Sequence, residues 1–376
     1  MRFIHLSDLH LGKRFGERSL IEDQRYILFE GILPVVRREA PDGVIIAGDV
    51  YDKSIPSEEA VGLLDDFLFA LSSEGLPVFL ISGNHDSAAR IAFGGRLLEA
   101  SRIHISQAYS GPVTPVVLND GFGEVNVWLL PFIKPYDVRP TREGEDIRTY
   151  NDAVRAAVED MKVDTSKRNV LVAHQFVTGA LTSESEEISV GGVDNVDRNV
   201  FAPFDYVALG HLHRPQYCSR ETIRYCGTPL KYSFSERNDE KSVTVVDLSG
   251  KGSVSVRTVP LVPLHDLRQV RGTFRELTAV IPSGKEREDY VRAVLTDETD
   301  VPDAVYDLRK IYPNLIRLDY DNTRTRTSER IINRSLMDEK TPLELFGELF
   351  RQQNGTELSN EQSDLLSALI EDIWRN

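Results

Sequence analysis

The chain has 376 residues, of which 41% are hydrophobic and 27% are charged, as in ordinary globular proteins. Because this length exceeds that of a typical single domain, we expect one large domain with one or two smaller units. The formal net charge of −15 argues against a protein that coats nucleic acid by bulk electrostatics, so any such affinity must come from a local patch, a bound metal or a partner.

The N-terminal stretch "MRFIHLSDLH" alternates like a β-strand and lacks the long apolar region and the cleavage site of a secretory signal. No apolar run in the sequence approaches the roughly 20 residues that cross a bilayer. We therefore expect a cytoplasmic protein without a membrane segment.

Five short apolar runs divide the first 215 residues: "FIHLS", "GVIIAG", "PVFLIS", "NVLVA" and "YVALG". Runs of this length and composition, bounded by Gly or Pro, predict strands that are buried on both faces. Amphipathic patterns predict helices between them, from Ser57 to Ser73 and from about Arg148 to Met161. This alternation indicates a layered α/β domain, in which ligands gather beyond the carboxyl ends of the strands.

The sequence pattern changes at about residue 217. The segments "QYCS", "IRYCG", "KSVTVVDLS" and "SVSVRTVPL" predict antiparallel strands that finish a second sheet. From about Phe274 a small α+β module is expected, with helices near "EREDYVRAVL" and "DAVYDLRKIYP" and a strand at "LIRLDYD". The polar stretch "NTRTRTSERIINRS" reads as a linker, and "PLELFGELFRQQNG" and "SNEQSDLLSALIEDIW" as two closing helices.

The two cysteines, Cys218 and Cys226, flank a predicted hairpin, and their spacing matches neither a zinc ribbon nor a redox motif. Two free thiols are the expected state, with a cross-strand disulfide as the alternative.

Polar residues of three types, Asp, Asn and His, follow the predicted strands. They are Asp8, His10, Asp49, Asn84, His85, His174, His211 and His213. A lone His or an Asn beside Gly is more often ordinary turn chemistry. Five of the eight histidines in the chain lie at predicted strand ends, and ordinary turn chemistry does not explain so many. Mixed carboxylate, amide and imidazole donors suit manganese or iron. Asp49 is the candidate to bridge two ions.

The blocks "DLH", "GD", "GNHD", "H" and "GHLH" resemble, in this order, the motifs of the calcineurin-like metallophosphoesterases. The resemblance implies a sandwich of two β-sheets flanked by helices, holding two divalent metal ions, Mn²⁺ foremost, with Fe²⁺ or Mg²⁺ as alternatives. By resemblance, one ion is held by Asp8, His10, Asp49 and His213, and the other by Asp49, Asn84, His174 and His211. His85 would act on the phosphate or the leaving oxygen, with Asp86 orienting its ring.

Longer segments, including "LISGNHDSAARIAFGG" and "YCGTPLKYSFSE", look like the SbcD family of nuclease subunits. This resemblance implies a nuclease domain at 1–270, a DNA-capping domain at 271–324, a linker at 325–338, and a helical segment at 339–376 that docks on an SbcC-type coiled-coil ATPase. It further implies a homodimer, 3′–5′ exonuclease and hairpin-opening activity on DNA, and association with the nucleoid. Archaeal relatives carry an extra histidine after "GD", where this chain has Asp52.

Basic residues near the metal motifs are candidate DNA contacts: Lys13, Arg14, Arg18, Lys53, Arg90 and Arg214. Any single one of them is more often a solvated surface charge, so the prediction concerns the cluster rather than its members. Two alternatives to a nuclease stay open, a small-molecule phosphodiesterase or phosphatase and a partner-binding scaffold with a vestigial metal site.

Overall fold

Two six-stranded β-sheets pack face to face in the computed structural model, which describes residues 1–180, 195–279, 281–323, 325, 343, 346–347, 350–351 and 357–375. The strands of the first sheet are β1 (Arg2–Leu6), β4 (Gly43–Ala47), β5 (Val78–Ile81), β6 (Ile103–Ile105), β13 (Ser242–Leu248) and β14 (Val254–Pro260). They lie in the order β14-β13-β1-β4-β5-β6.

The strands of the second sheet are β7 (Val116–Asp120), β8 (Gly123–Leu129), β9 (Arg168–His174), β10 (Tyr206–Gly210), β11 (Gln216–Cys218) and β12 (Arg220–Tyr225). They lie in the order β11-β12-β10-β9-β8-β7. A short hairpin, β2 (Arg14–Phe15) and β3 (Arg18–Ser19), lies apart from both sheets.

Helices connect the strands of the first 215 residues: α1 (Ile21–Tyr26), α2 (Leu33–Glu39), α3 (Glu58–Ser73), α4 (Ala88–Ile91), α5 (Gly95–Leu98), α6 (Pro135–Val138) and α7 (Tyr150–Asp160). A π-helical turn, Ile27–Ile32, joins α1 to α2. Single 3₁₀ turns occur at Glu99–Ser101, Arg139–Thr141, Arg198–Phe201, Phe234–Glu236 and Gly284–Arg287.

Strand β9 illustrates why both sheets form here. Val170 and Val172 point between the sheets, where they join a core that includes Ile45. Leu171 and Ala173 point the other way and belong to a second core with residues of α7. Because successive side chains of a strand alternate between its faces, an all-apolar run is what a strand covered on both sides requires. The predicted α/β sandwich is confirmed.

Both predicted helices of this region are present, and their first turns are capped. The Ser57 hydroxyl accepts a hydrogen bond from the Ala60 N–H at 3.3 Å, and α3 buries Leu63, Phe67 and Leu71 completely. Helix α7 begins with a capping box between Thr149 and Asp152.

Two predictions about the later strands were wrong. The four segments after residue 217 do not finish one sheet: β12 pairs parallel to β10, whereas β13 pairs antiparallel to β1 in the other sheet. The stretch predicted as a helix near "EREDYVRAVL" forms a 3₁₀ turn and then a strand at Tyr290–Leu295. A short run with buried Val291, Ala293 and Leu295 fits either period, and here pairing in a sheet decides.

The chain divides into two units, Met1–Gln269 with Ser283–Arg292 and Val270–Pro282 with Ala293–Asn376. The later elements are β15 (Leu267–Gly272), α8 (Phe274–Ala279), β16 (Tyr290–Leu295), α9 (Ala304–Ile311), β17 (Leu315–Tyr320) and α10 (Asn360–Arg375), and the strands form a sheet in the order β15-β16-β17. The predicted linker at 325–338 and most of the first closing helix lie outside the described residues. The second closing helix is α10.

Cys218 and Cys226 are both buried and free, as expected. None of the helices within the described ranges combines the length and the apolar character needed to span a membrane.

Candidate metal centre

The polar residues predicted to lie together meet where the two sheets present the carboxyl ends of their parallel strands. Strands β1, β4 and β5 of one sheet and β9 and β10 of the other each end directly before or at these residues. The site comprises Asp8, His10, Asp49, Asn84, His85, His174, His211 and His213.

Four of these residues have left-handed backbones, with φ of 52° at Asp8, 44° at His10, 46° at Asp49 and 107° at His211. Such conformations are rare for residues other than glycine and cost about 1–3 kcal/mol each. Hydrogen bonds between the strand-end loops hold them, including His10 N–H to the Asp49 carbonyl at 2.9 Å. Strained backbones of this kind concentrate at functional sites. Here they direct the side chains of these residues into one cavity.

Asp49 lies at the centre of the cluster. Its Oδ2 atom is 3.3 Å from His174 Nε2, 3.7 Å from His10 Nε2 and 4.0 Å from His85 Nε2. Its other oxygen, Oδ1, accepts a hydrogen bond from the His85 backbone N–H at 2.9 Å. One carboxylate oxygen therefore faces imidazole nitrogens from both sheets.

The first donor set consists of Asp8, His10 and His213, whose ligand atoms lie within 4.8 Å of one another. The Nε2 atoms of His10 and His213 are 3.1 Å apart. The Asp8 carboxylate accepts hydrogen bonds from the Ser7 hydroxyl and, at 3.0 Å, from the His211 N–H. All three side chains are buried.

The second donor set consists of Asp49, His174 and His211, again within 4.8 Å. The amide oxygen of Asn84 lies 3.0 Å from His174 Nε2 and 2.9 Å from His211 Nδ1. His174 Nδ1 is 2.8 Å from the Ala47 carbonyl. Because a carbonyl can only accept, Nδ1 carries a proton, and Nε2 is the nitrogen that faces the site.

The two carboxylates have opposite electrostatic environments. Burial raises the pKa of Asp8 to about 6. Burial also disfavours the charge of Asp49, but His174, His10 and His85 outweigh it and lower the pKa of Asp49 well below its usual range. Burial likewise opposes charge on His174, yet the nearby Asp49 raises the pKa of His174 to about 9.

Burial lowers the pKa of His10 well below its ordinary value and that of His211 to about 3, so both rings are neutral donors. Within the described residues, Asp8 and Asp49 have no Lys or Arg partner. Nδ1 of His10 is buried and has no hydrogen-bond partner among the residues that the structure describes. The two buried carboxylates lie beside the neutral rings of His10 and His211 and have little positive charge around them, which divalent cations would provide. The donor sets fit such ions.

Gly83 shows how the strand end makes room for Asp49. A Cβ atom at Gly83 would overlap the Asp49 carboxylate and its backbone N. Any larger residue would push the central carboxylate out of place.

The prediction that Asp86 orients the His85 ring was wrong. The Asp86 carboxylate accepts hydrogen bonds from the backbone N–H groups of Val50, Tyr51 and Gly83 at 2.9–3.0 Å. Nδ1 of His85 lies 3.1 Å from the backbone carbonyl of Asp52 instead. Asp86 thus fixes the loop that carries Asp49, because backbone amides rather than the imidazole point at it.

Asp52 lies at the edge of the cluster, in a group with His10 and His85. Its Oδ1 atom is 3.8 Å from His10 Nδ1 and 2.7 Å from Lys13 Nζ. Asp52 therefore contributes a carboxylate beside the first donor set as well as the carbonyl that holds His85.

Among the six basic candidates, Lys13 pairs with Asp52 at 2.7 Å and Arg214 pairs with Asp239 at 3.0 Å. The other four side chains are exposed: Arg14, Arg18, Lys53 and Arg90. Their role in binding DNA remains a prediction.

Sequence reasoning missed the buried residues that support the donors. Gln24 donates to the His10 carbonyl at 2.7 Å and accepts from the Gly12 N–H at 2.9 Å. Tyr232 donates to the Leu9 carbonyl at 2.6 Å. Together they hold the left-handed turn at His10.

A buried carboxylate, Glu236, lies 3.3 Å from His213 Nδ1 and 2.6 Å from Lys241 Nζ. Burial raises the cost of its charge, but His213 and Lys241 lower the pKa of Glu236 to about 2. Tyr232 and Glu236 belong to the segment "YCGTPLKYSFSE", which could have directed attention to them.

Two regions of the chain match known protein families. Residues 1–215 match the calcineurin-like phosphoesterase family, and residues 263–354 match a family described as the type 5 capsule protein repressor C-terminal domain. The SbcD subunit of the SbcCD nuclease of Staphylococcus epidermidis is 33% identical in an alignment that is 377 residues long. This alignment covers 98% of this chain and 98% of that protein.

Proposed function

We propose that this protein is a two-metal DNA phosphodiesterase that works within an SbcCD-type complex. The chain belongs to the calcineurin-like phosphoesterases and, among them, to the SbcD-type nuclease subunits. As a member of this family the chain is a hydrolase that acts on phosphodiester bonds. The observation that carries the two-metal proposal is the central position of Asp49, whose carboxylate faces donors of both sets. A shared carboxylate is a common way to hold two cations about 3.5–4 Å apart.

In this proposal one ion is held by Asp8, His10, Asp49 and His213. The other is held by Asp49, Asn84, His174 and His211. We propose Mn²⁺ as the ion, because the mixed oxygen and imidazole donors suit it better than Mg²⁺. Such ions supply charge neutralisation for a phosphoryl group and lower the pKa of water.

His85 serves the substrate rather than the ions. Its side chain is 17% exposed, compared with 2% for Asp49 and 0% for His174. The Asp52 carbonyl accepts from Nδ1–H, so Nε2 faces the cavity and can contact a phosphate oxygen or pass a proton to the leaving oxygen. Asp86 contributes indirectly, through the loop that carries Asp49.

DNA is the proposed substrate, cleaved by 3′–5′ exonuclease and hairpin-opening endonuclease action. The similarity to a nuclease subunit extends over nearly the whole chain, beyond the phosphoesterase match at 1–215. A small-molecule phosphodiesterase would not need the sequence after residue 263, which has its own family match.

The proposed partners are an SbcC-type ATPase, bound through 339–376, and a second copy of this chain. The amphipathic α10 and the outward-facing Phe69 of α3, which is 73% exposed, support these two contacts respectively. We retain 271–324 as the proposed DNA-capping domain.

The test of this function is cleavage of linear duplex and single-stranded DNA by the purified full chain with Mn²⁺, beside a chromogenic phosphodiester. Manganese-dependent DNA cleavage is expected. Rapid turnover of the chromogenic ester with DNA left intact would favour the small-molecule alternative.

A further inference from the structure

Glu236 and Lys241 form a buried ion pair that the proposed reaction does not use. Glu236 is fully buried and Lys241 is 5% exposed. A buried pair of this kind costs desolvation energy, and apolar residues of similar volume often stabilise a fold as well or better. Its presence beside a candidate metal ligand therefore indicates a role other than stability.

The pair contacts His213 on the side that faces away from the other candidate metal ligands. Glu236 Oε1 faces His213 Nδ1 at 3.3 Å, and Lys241 Nζ donates both to Glu236 Oε2 at 2.6 Å and to the His213 carbonyl at 2.8 Å. The Thr228 N–H donates to the same carbonyl at 3.1 Å. Both the ring and the backbone of His213 are therefore fixed.

The chemistry of the contact determines which nitrogen of His213 bears the proton. An ionised carboxylate only accepts hydrogen bonds, so Nδ1 donates to Glu236. In this tautomer the lone pair is on Nε2, the nitrogen that faces His10 Nε2 at 3.1 Å. A carboxylate behind a ligating imidazole also makes the ring a stronger donor.

We propose that Glu236 is a positioning residue that selects the metal-binding tautomer of His213, and that Lys241 keeps the Glu236 carboxylate in place for this task. The inference rests on the proposed two-metal site. Both residues lie between the two regions that match known families, 1–215 and 263–354.

The first test is Glu236→Gln. The buried Lys241 ammonium needs an acceptor, so the new amide oxygen turns to Lys241 and the amide NH₂ turns to His213. An NH₂ group requires Nδ1 to accept, which moves the ring proton to Nε2 and blocks the donor lone pair. We expect the affinity of one of two Mn²⁺ sites to fall about 10–100-fold, measured by calorimetry on the chelator-treated full chain.

The second test separates this mechanism from a general structural role. In Glu236→Gln with Lys241→Met, the amide oxygen no longer has an ammonium to satisfy and can accept from His213 Nδ1–H. We expect the double variant to bind Mn²⁺ more tightly than Glu236→Gln alone. A merely structural pair predicts the reverse, because removing both partners would disturb the fold at least as much as changing one.

Glu240→Gln is the control, because it removes an exposed carboxylate close to Glu236 in the sequence and should leave Mn²⁺ binding unchanged. Thermal unfolding of each metal-free variant identifies loss of fold. Unaltered binding in folded Glu236→Gln, or no recovery in the folded double variant, would overturn the role of Glu236. Failure of the unsubstituted chain to bind Mn²⁺ would overturn the metal site itself and this inference with it.

Discussion

Asp49 Oδ2 lies 3.3 Å from His174 Nε2, and this contact joins the two sheets, because Asp49 follows β4 of the first and His174 ends β9 of the second. His174 also donates to the Ala47 carbonyl of β4. The candidate metal centre therefore crosses the sandwich, and ions held there would link one sheet to the other.

Replacing Asp49 by Asn should affect both ions at once. The amide keeps the volume but removes the charge that faces His174 and His10. We expect loss of measurable Mn²⁺ binding and of the thermal stabilisation that Mn²⁺ gives, which is about 2.7 kcal/mol at a metal concentration of 100 Kd. Calorimetry and thermal unfolding with and without Mn²⁺ measure the two effects.

Asp66→Asn is the matched control, because Asp66 is an exposed carboxylate on α3 that pairs only with Arg25 among the described residues. It should bind Mn²⁺ like the unsubstituted chain. Retention of two bound ions in Asp49→Asn would show that Asp49 is not shared.

Replacing His85 by Ala should separate catalysis from metal binding. His85 lies beside the donor sets without belonging to either proposed ligand set, so Mn²⁺ stoichiometry should stay at the unsubstituted level. Loss of a group that handles a proton or a phosphate oxygen lowers the rate about 10²–10⁴-fold. Single-turnover DNA cleavage gives the rate, with His104→Gln as the control. Cleavage at the original rate would refute the assigned role.

Gly83→Ala tests the close packing around Asp49. The added methyl group would overlap the Asp49 carboxylate, so we expect weaker Mn²⁺ binding and a loss of about 1–3 kcal/mol in the free energy of unfolding. Gly62→Ala is the matched change on α3, where a Cβ meets open space. It should stabilise the protein by about 0.5–1 kcal/mol through helix propensity. Equal behaviour of the two variants would contradict the packing argument.

A chain that ends at residue 335 should lose its ATPase partner and keep basal nuclease activity. The deletion removes the proposed docking segment at 339–376 and leaves every candidate metal ligand in place. Co-purification with an SbcC-type ATPase measures the first property and Mn²⁺-dependent cleavage the second. A tight complex formed by the shortened chain would place the docking surface elsewhere.

The sequence predicted that the eight polar residues of the candidate metal centre lie together, because each follows or ends an apolar run whose length and composition favour a buried strand. His174 and His211 come directly at strand ends, and the carboxyl ends of parallel strands share one edge. Pattern and position together were enough to bring these residues into one site.

The roles of the supporting residues could not be predicted from the sequence, because charge burial is a property of the packed structure. Glu236 and Lys241 read as ordinary surface charges in a polar stretch, and only the contact with His213 distinguishes them. Asp86 was misassigned because its role was carried over from the family resemblance, whereas the groups that donate to its carboxylate are backbone amides. Short strands such as Tyr290–Leu295 are decided by pairing partners that local sequence does not reveal.

A manganese-edge anomalous difference map of the crystallised, Mn²⁺-soaked chain tests the central claim most directly. We expect two peaks about 3.5–4 Å apart, one beside Asp8, His10 and His213 and the other beside Asn84, His174 and His211, with Asp49 between them. A single peak, or two peaks that do not share Asp49, would contradict it.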